Sequence, residues 1–176
     1  MTRLVQTGDV LGYYKAQNIY DDLIQWAEWA EDGIRHPEYY HMAVALDSTR
    51  KLEAVEGGVQ VNPIVQDGTF NVFRLPVAPG RIAPALAKLE RLVGERYDNW
   101  LIVDDALRYF SLGLTGSECI HLPTAFIRRK QRTEVICVSV LRRYCRYVGF
   151  KAPNWLNTWS SPEDWGTALE GWMVDG

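Results

Sequence analysis

Residues 39–59, YYHMAVALDSTRKLEAVEGGV, place one histidine at the head of an apolar run and one acid beyond the next turn. The alternation from His41 to Leu46 predicts a strand, Asp47, Ser48 and Thr49 carry turn chemistry, and apolar residues resume at Leu52, Val55, Val59 and Val61. Side chains alternate faces along a strand, so the loop length decides which acid His41 can meet. A three-residue loop over Asp47, Ser48 and Thr49 pairs Leu46 with Arg50 and Ala43 with Glu53. Glu53 then lies diagonal to His41 on one face, about 7–8 Å away at the backbone and within reach of a long side chain. A four-residue loop instead sets Glu56 opposite His41 and turns Glu53 away. Either carboxylate would fix the imidazole tautomer and favour the imidazolium. Taken singly, His41 reads as a hydrogen-bonded strand-edge residue and Glu53 as a solvated one.

Working outward, a short apolar segment surrounds Val10 and Leu11, and Ile19, Leu23, Trp26, Ala27 and Ala30 repeat at helical spacing over 19–32, with Gly33 as a stop. A further strand is expected over Phe70 to Leu75. A helix is expected over 82–93, with Pro84 in its first turn and Gly94 at its end, and another over 101–112. In RTEVICVSVLRRYCRYVG, residues 132–149, Cys137, Leu141, Tyr144, Cys145 and Val148 form one helical face closed by Gly149, which puts Cys137 near the helix start. The tail SSPEDWGTALEGWM, residues 160–173, offers a serine cap, a proline at the first helical position and acids in the first turn, so one more short helix is expected.

Composition bounds what this pattern can serve. With 176 residues, 47% hydrophobic and 23% charged, and no repeats or long linker, residues 1–176 read as a single domain of α+β class. A net charge of -3 gives no general reason to expect nucleic acid or an anionic membrane as partner. Three cysteines without paired spacing make no disulfide framework, and neither CxxC nor HExxH is present, so no metal or organic cofactor is expected. The opening MTRLVQTGDVLGYY lacks the apolar core of a signal peptide, and no segment approaches the ~20 apolar residues of a membrane span. The expectation is a cytoplasmic protein in a reducing compartment, without membrane insertion, with delivery by a phage particle or a secretion machine as the alternative.

A cysteine is by default a small buried hydrophobe. In the first turn of a helix, however, outward-pointing N–H groups and a nearby imidazolium favour its thiolate. Thr133 is a candidate cap for that helix, and Lys130 and Arg132 would add positive potential.

Taken together, several motifs resemble the circularly permuted papain-fold peptidases and amidases, the YiiX-like relatives of the NlpC-type cell-wall hydrolases. The match covers about residues 7–166. The family's early "GD" is similar to TGDVLGYY at Gly8 and Asp9, its histidine strand to HMAVAL, and its "EA" before a glycine-valine turn to LEAVEGGVQVNPI. Its "G-x-x-Y-D" resembles GERYDNW at Gly94, Tyr97 and Asp98. Its cysteine-led helix, ending in glycine twelve residues on, resembles Cys137 to Gly149, and its proline-led terminal segment SSPEDW. The order is that of the permuted branch, with His41 and Glu53 ahead of Cys137. Where the family has serine directly after the cysteine, Val138 follows here and the serine comes next, as Ser139; Ile136 stands where an aromatic residue is common.

The resemblance implies a permuted papain-like fold, a small antiparallel sheet packed against the nucleophile helix. It implies Cys137 as nucleophile, His41 as general base and later acid, and Glu53 as the orienting third residue. The implied reaction is hydrolysis of an amide bond through an acyl-cysteine, on a cell-wall stem peptide, a short peptide or an N-acyl amine. The competing reading is a catalytically silent module of a bacterium or phage that keeps the fold as a binding groove. Other candidates carry less. Cys119 and His121 in SECIH would share a face of an extended segment, but no third ligand follows and Pro123 marks a loop. Cys145 reads as packing. The basic run IRRKQR, with Arg142, Arg143 and Arg146 beyond it, is either a solvated face or a carboxylate-binding patch. Asp9, Tyr97 and Asp98 read as structural.

Overall fold

The three-residue loop forms, and its chemistry is local. In a computed structural model of the chain, which describes residues 4–14, 39–97, 107, 111, 123, 134–156 and 160–174, Asp47 Oδ1 accepts the amides of Thr49 and Arg50 at 2.8 Å each. Leu46 N–H donates to the Arg50 carbonyl at 2.8 Å. Strands β2 (His41–Ala45) and β3 (Arg50–Val55) therefore pair antiparallel with Ala43 opposite Glu53. The apolar run beyond is two strands. Glu56 and Gly57 form a two-residue turn, so Val55 pairs with Gly58 and β4 (Gly58–Pro63) folds back on β3.

With β1 (Val10–Tyr13) and β5 (Phe70–Phe73) these strands make one five-stranded antiparallel sheet in the order β4-β3-β2-β1-β5. Alternation divides its residues between two cores. Val10, Met42, Val44, Leu52, Ala54 and Phe73 belong to one, and Leu11, Ala43, Ala45, Phe70 and Val72 to the other.

Helix α1 runs Pro79–Leu89 and tightens into a 3₁₀ turn at Glu90–Leu92. It starts three residues earlier than expected, because Pro79 occupies the first helical position, where a missing N–H is harmless. Pro84 consequently lies inside the helix rather than in its first turn, on the exposed side, where it removes one intrahelical hydrogen bond. A short parallel pair, β6 (Arg96–Tyr97) and β7 (Glu134–Val135), leads directly into α2 (Cys137–Val148), which Gly149 ends in the left-handed conformation at φ 77°. Helix α2 packs on α1, β2 and β3. Burial of Val140, Leu141 and Val148 on that face contributes about 1.5–3 kcal/mol per side chain before the cost of ordering the chain.

Helix α3 (Pro162–Leu169) opens with a reciprocal cap: Asp164 N–H donates to Ser161 Oγ at 3.1 Å, and Ser161 N–H to Asp164 Oδ2 at 2.9 Å. Tyr39 N–H donates to Glu163 Oε2 at 2.8 Å, which ties α3 to the chain just ahead of His41.

The Gly8–Asp9 turn links the sheet to α2. Gly8 has φ 86°, and a Cβ there would lie 2.5 Å from the Tyr144 hydroxyl, which donates to the Gly8 carbonyl at 2.8 Å. A glycine is what lets α2 dock at this point. Buried Asp9 accepts from both Nε and Nη2 of Arg74, at 2.9 and 2.8 Å.

The class is α+β with a small antiparallel sheet, as expected. The helix expected over 19–32 lies outside the described residues, as does that over 101–112 apart from Leu107 and Ser111, which are helical. No helix among the described residues is long and apolar enough to cross a membrane.

Candidate active site

His41 is the first residue of β2, Glu53 sits in the middle of β3, and Cys137 is the first residue of α2; all three are buried. His41 Nε2 lies 2.8 Å from Glu53 Oε2. The imidazole is also coupled electrostatically to Cys137, which raises its pKa. With Nε2 committed to the carboxylate, Nδ1 is the nitrogen left for sulfur. The diagonal relation expected from the three-residue loop is thus realised. Glu56, the rival, is exposed in the β3–β4 turn.

Parity alone would not have brought in the cysteine. His41 and Glu53 share the strand face of Tyr13 and Ala43, whereas α2 covers Met42, Val44, Leu52 and Ala54 on the other. Thiol and imidazole meet where the first residue of the helix adjoins the first residue of β2.

The cluster around Glu53 is larger than the sequence suggested. Lys51 Nζ lies 2.8 Å from the same Oε2 that His41 engages, and Asn62 Nδ2 donates to Oε1 at 2.9 Å. Both were legible in principle. Lys51 precedes Glu53 by two residues and so shares its face; the Glu56–Gly57 turn pairs Lys51 with Asn62, placing Asn62 diagonal to Glu53 on the side away from His41. Tyr13 stands opposite His41 in the β1–β2 register with ring centroids 5.8 Å apart, and the Tyr40 ring lies 6.2 Å from the imidazole at an interplanar angle of 29°.

Burial by itself pushes His41 down, because the imidazolium loses water. The hydrogen bonds to Cys137 and Glu53 and the negative charge of both outweigh this, and His41 is raised to about 10. Burial likewise opposes the Glu53 carboxylate, but the His41 hydrogen bond and charge, with Lys51 behind them, lower it to about 2. At neutral pH the pair is imidazolium and carboxylate.

The start of α2 is closed by Ser139: Ile136 N–H donates to Ser139 Oγ at 3.0 Å, and that hydroxyl donates to the Ile136 carbonyl at 2.7 Å. The boundary residue is Ile136, and Ser139 closes the first turn. The displaced serine therefore organises the helix start, and the first N–H groups of α2, that of Cys137 included, point out beyond it.

Cys145 lies two turns along α2, where burial pushes its thiol up to about 12. Arg143 pairs with Glu95 at 3.2 Å, and Arg146 and Arg142 line the exposed side of the helix. Tyr97 pairs with Val135 and so fixes the entry to α2. Asp98, Cys119, His121, Lys130, Arg132 and Thr133 lie outside the described residues. No family model, no curated protein and no solved structure matches the chain.

Proposed function

We propose that the chain is a thiol-dependent hydrolase that cleaves an amide bond through an acyl-cysteine, in a permuted papain-like arrangement. One observation carries this reading: a buried imidazole held between the Glu53 carboxylate and the Cys137 thiol at the first turn of a helix. A core has no packing reason to bury an imidazole beside both a carboxylate and a thiol, since ionisable groups cost free energy to desolvate.

The chemistry follows from the positions. His41 holds the proton of Cys137, and Sγ attacks the carbonyl carbon of the amide. The oxyanion is met by N–H groups at the start of α2, the end of the helix that favours negative charge. The C–N bond breaks as His41 passes its proton to the leaving amine. Water then gives a proton to His41 and adds to the thioester; the C–S bond breaks, and the acid leaves with the dyad restored. Glu53 holds the ring in the orientation that aims Nδ1 at sulfur. A cell-wall stem peptide, another short peptide and an N-acyl amine all present this bond.

The silent-module reading has its own support: Cys137 is only 3% exposed, and Val138 stands where the resembled family has serine. A thiol-directed acyloxymethyl ketone probe separates the two. Labelling of Cys137 that is abolished in Cys137→Ala and strongly reduced in His41→Ala supports the enzyme; a folded wild-type protein left unlabelled refutes it. Profiling against wall fragments, lysine-blocked peptides and acyl amides then chooses the substrate class.

A further inference from the structure

Lys51 is the charged group in this cluster, among the described residues, that the mechanism above leaves unused. Its ammonium lies 2.8 Å from Glu53 Oε2 and 4.1 Å from the centre of the Tyr13 ring, and its side chain is only 13% exposed. A lysine usually keeps its charged end in water. Here the ammonium is turned inward, onto the same carboxylate oxygen that His41 Nε2 engages. Asn62 and His41 already supply one partner to each oxygen of Glu53, so satisfying the carboxylate does not require Lys51.

We propose that Lys51 is a positioning residue that offsets the charge of Glu53, so that His41 gives up its proton as Cys137 is acylated and stays neutral afterwards. This rests on the reading of Cys137 and His41 as a working dyad. In the free protein His41 lies beside two groups that favour its proton, the Cys137 sulfur and the Glu53 carboxylate. Acylation removes the first, because Sγ becomes a neutral thioester as the His41 proton goes to the amine. His41 must next stay neutral long enough to take a proton from water, yet a buried carboxylate at 2.8 Å would hold the proton on the ring. An ammonium on the shared oxygen opposes that by like-charge repulsion.

Among the described residues, the other groups lining this cluster are two tyrosines and an asparagine. Tyr13 from β1 stays protonated, its hydroxyl pushed upward by burial and by the charges of Glu53 and Asp67. Tyr40, just ahead of β2, presents its ring, and Asn62 from β4 is neutral. Cys137 from α2 is the sulfur that acylation caps.

The test is NMR titration of the chain's three histidines, with His41 assigned by its loss in His41→Gln, before and after iodoacetamide caps Cys137 as a neutral thioether in place of the thioester. Capping should lower the His41 midpoint in the wild type. In the capped protein, Lys51→Met should raise that midpoint by about one pH unit or more, and Lys51→Arg should keep the wild-type value. Lys51→Gln, which can still hydrogen-bond Glu53, reads the same rise should the methionine variant fail to fold. A capped Lys51→Met or Lys51→Gln midpoint equal to that of the capped wild type overturns the role of Lys51 alone. A wild-type midpoint unmoved by capping overturns the dyad, and this proposal with it.

Discussion

Replacing Glu53 by glutamine tests the cluster through stability, without needing a substrate. Glu53 is 4% exposed and accepts from His41 and Lys51 on one oxygen and from Asn62 on the other. Glutamine keeps the shape, so no cavity term arises, but it turns an NH₂ toward one set of donors and removes the negative charge between two cations. Two charge-assisted hydrogen bonds at about 1.5–3 kcal/mol each, in a pair whose breakage typically costs ~3–5 kcal/mol, set the expected loss at about 3–5 kcal/mol. Its pH dependence has a fixed sign. His41 is raised from 6.5 to about 10, so its contribution is fully present below pH 6.5 and is lost as pH rises through about 10. Glu53 is lowered from 4.5 to about 2, so its contribution is present above pH 4.5 and is lost as pH falls through about 2. The deficit of Glu53→Gln should therefore be greatest between pH 4.5 and 6.5 and shrink on either side. Urea unfolding across pH 3 to 10 reads it, with exposed Glu56→Gln as control, expected within about 0.5 kcal/mol of wild type. A Glu53→Gln protein as stable as the control, or a deficit that ignores pH, would refute the buried ion cluster.

Other perturbations probe the frame. Native-state alkylation with iodoacetamide at pH 8, read by peptide mass mapping, should modify Cys137 before Cys145, whose thiol burial pushes up to about 12; the reverse order contradicts the site. Ser139→Ala removes the reciprocal bonds at the α2 start and should cost about 0.5–2 kcal/mol while slowing Cys137 alkylation; an unchanged rate would show that Ser139 does not set the cysteine's position. Gly8→Ala forces a Cβ against the Tyr144 hydroxyl at positive φ and should destabilise by at least about 1–3 kcal/mol. Tyr144→Phe, which only deletes the bond to the Gly8 carbonyl, should cost about 0.5–1.5 kcal/mol. Equal thermal shifts for these last two would mean that the steric argument at Gly8 fails.

The connection between frame and site runs through α2. The Gly8 turn receives Tyr144, β6 and β7 aim the chain into the helix, and Ser139 closes its first turn, so Cys137 is placed by contacts at both ends of one rigid element. The Glu53 end is fixed separately, by hairpin register. A site assembled from two independently fixed pieces keeps its geometry without relying on loops.

What the sequence determined by itself is what near neighbours decide. Asp47 caps the turn that follows it, so the loop over DSTR is a short-range matter; the sequence narrowed its length to three or four residues and the partner of His41 to Glu53 or Glu56, and the Asp47 contacts select the first of each. The α2 face with its glycine stop, and the Ser161–Asp164 cap of α3, are equally short-range. The start of α1 was misread because Pro79 and Pro84 are both plausible first-turn prolines, and local pattern does not rank them. Tertiary structure alone decided what joins these pieces. Strand parity sends His41 to the face that α2 does not cover, and no periodicity reveals that the helix begins where the strand begins, bringing sulfur to the imidazole. Nor does any local rule say that Lys51 turns its charge inward. That choice depends on a carboxylate already buried by two neighbouring strands and on the Tyr13 ring across the sheet, partners that exist only once the chain has folded.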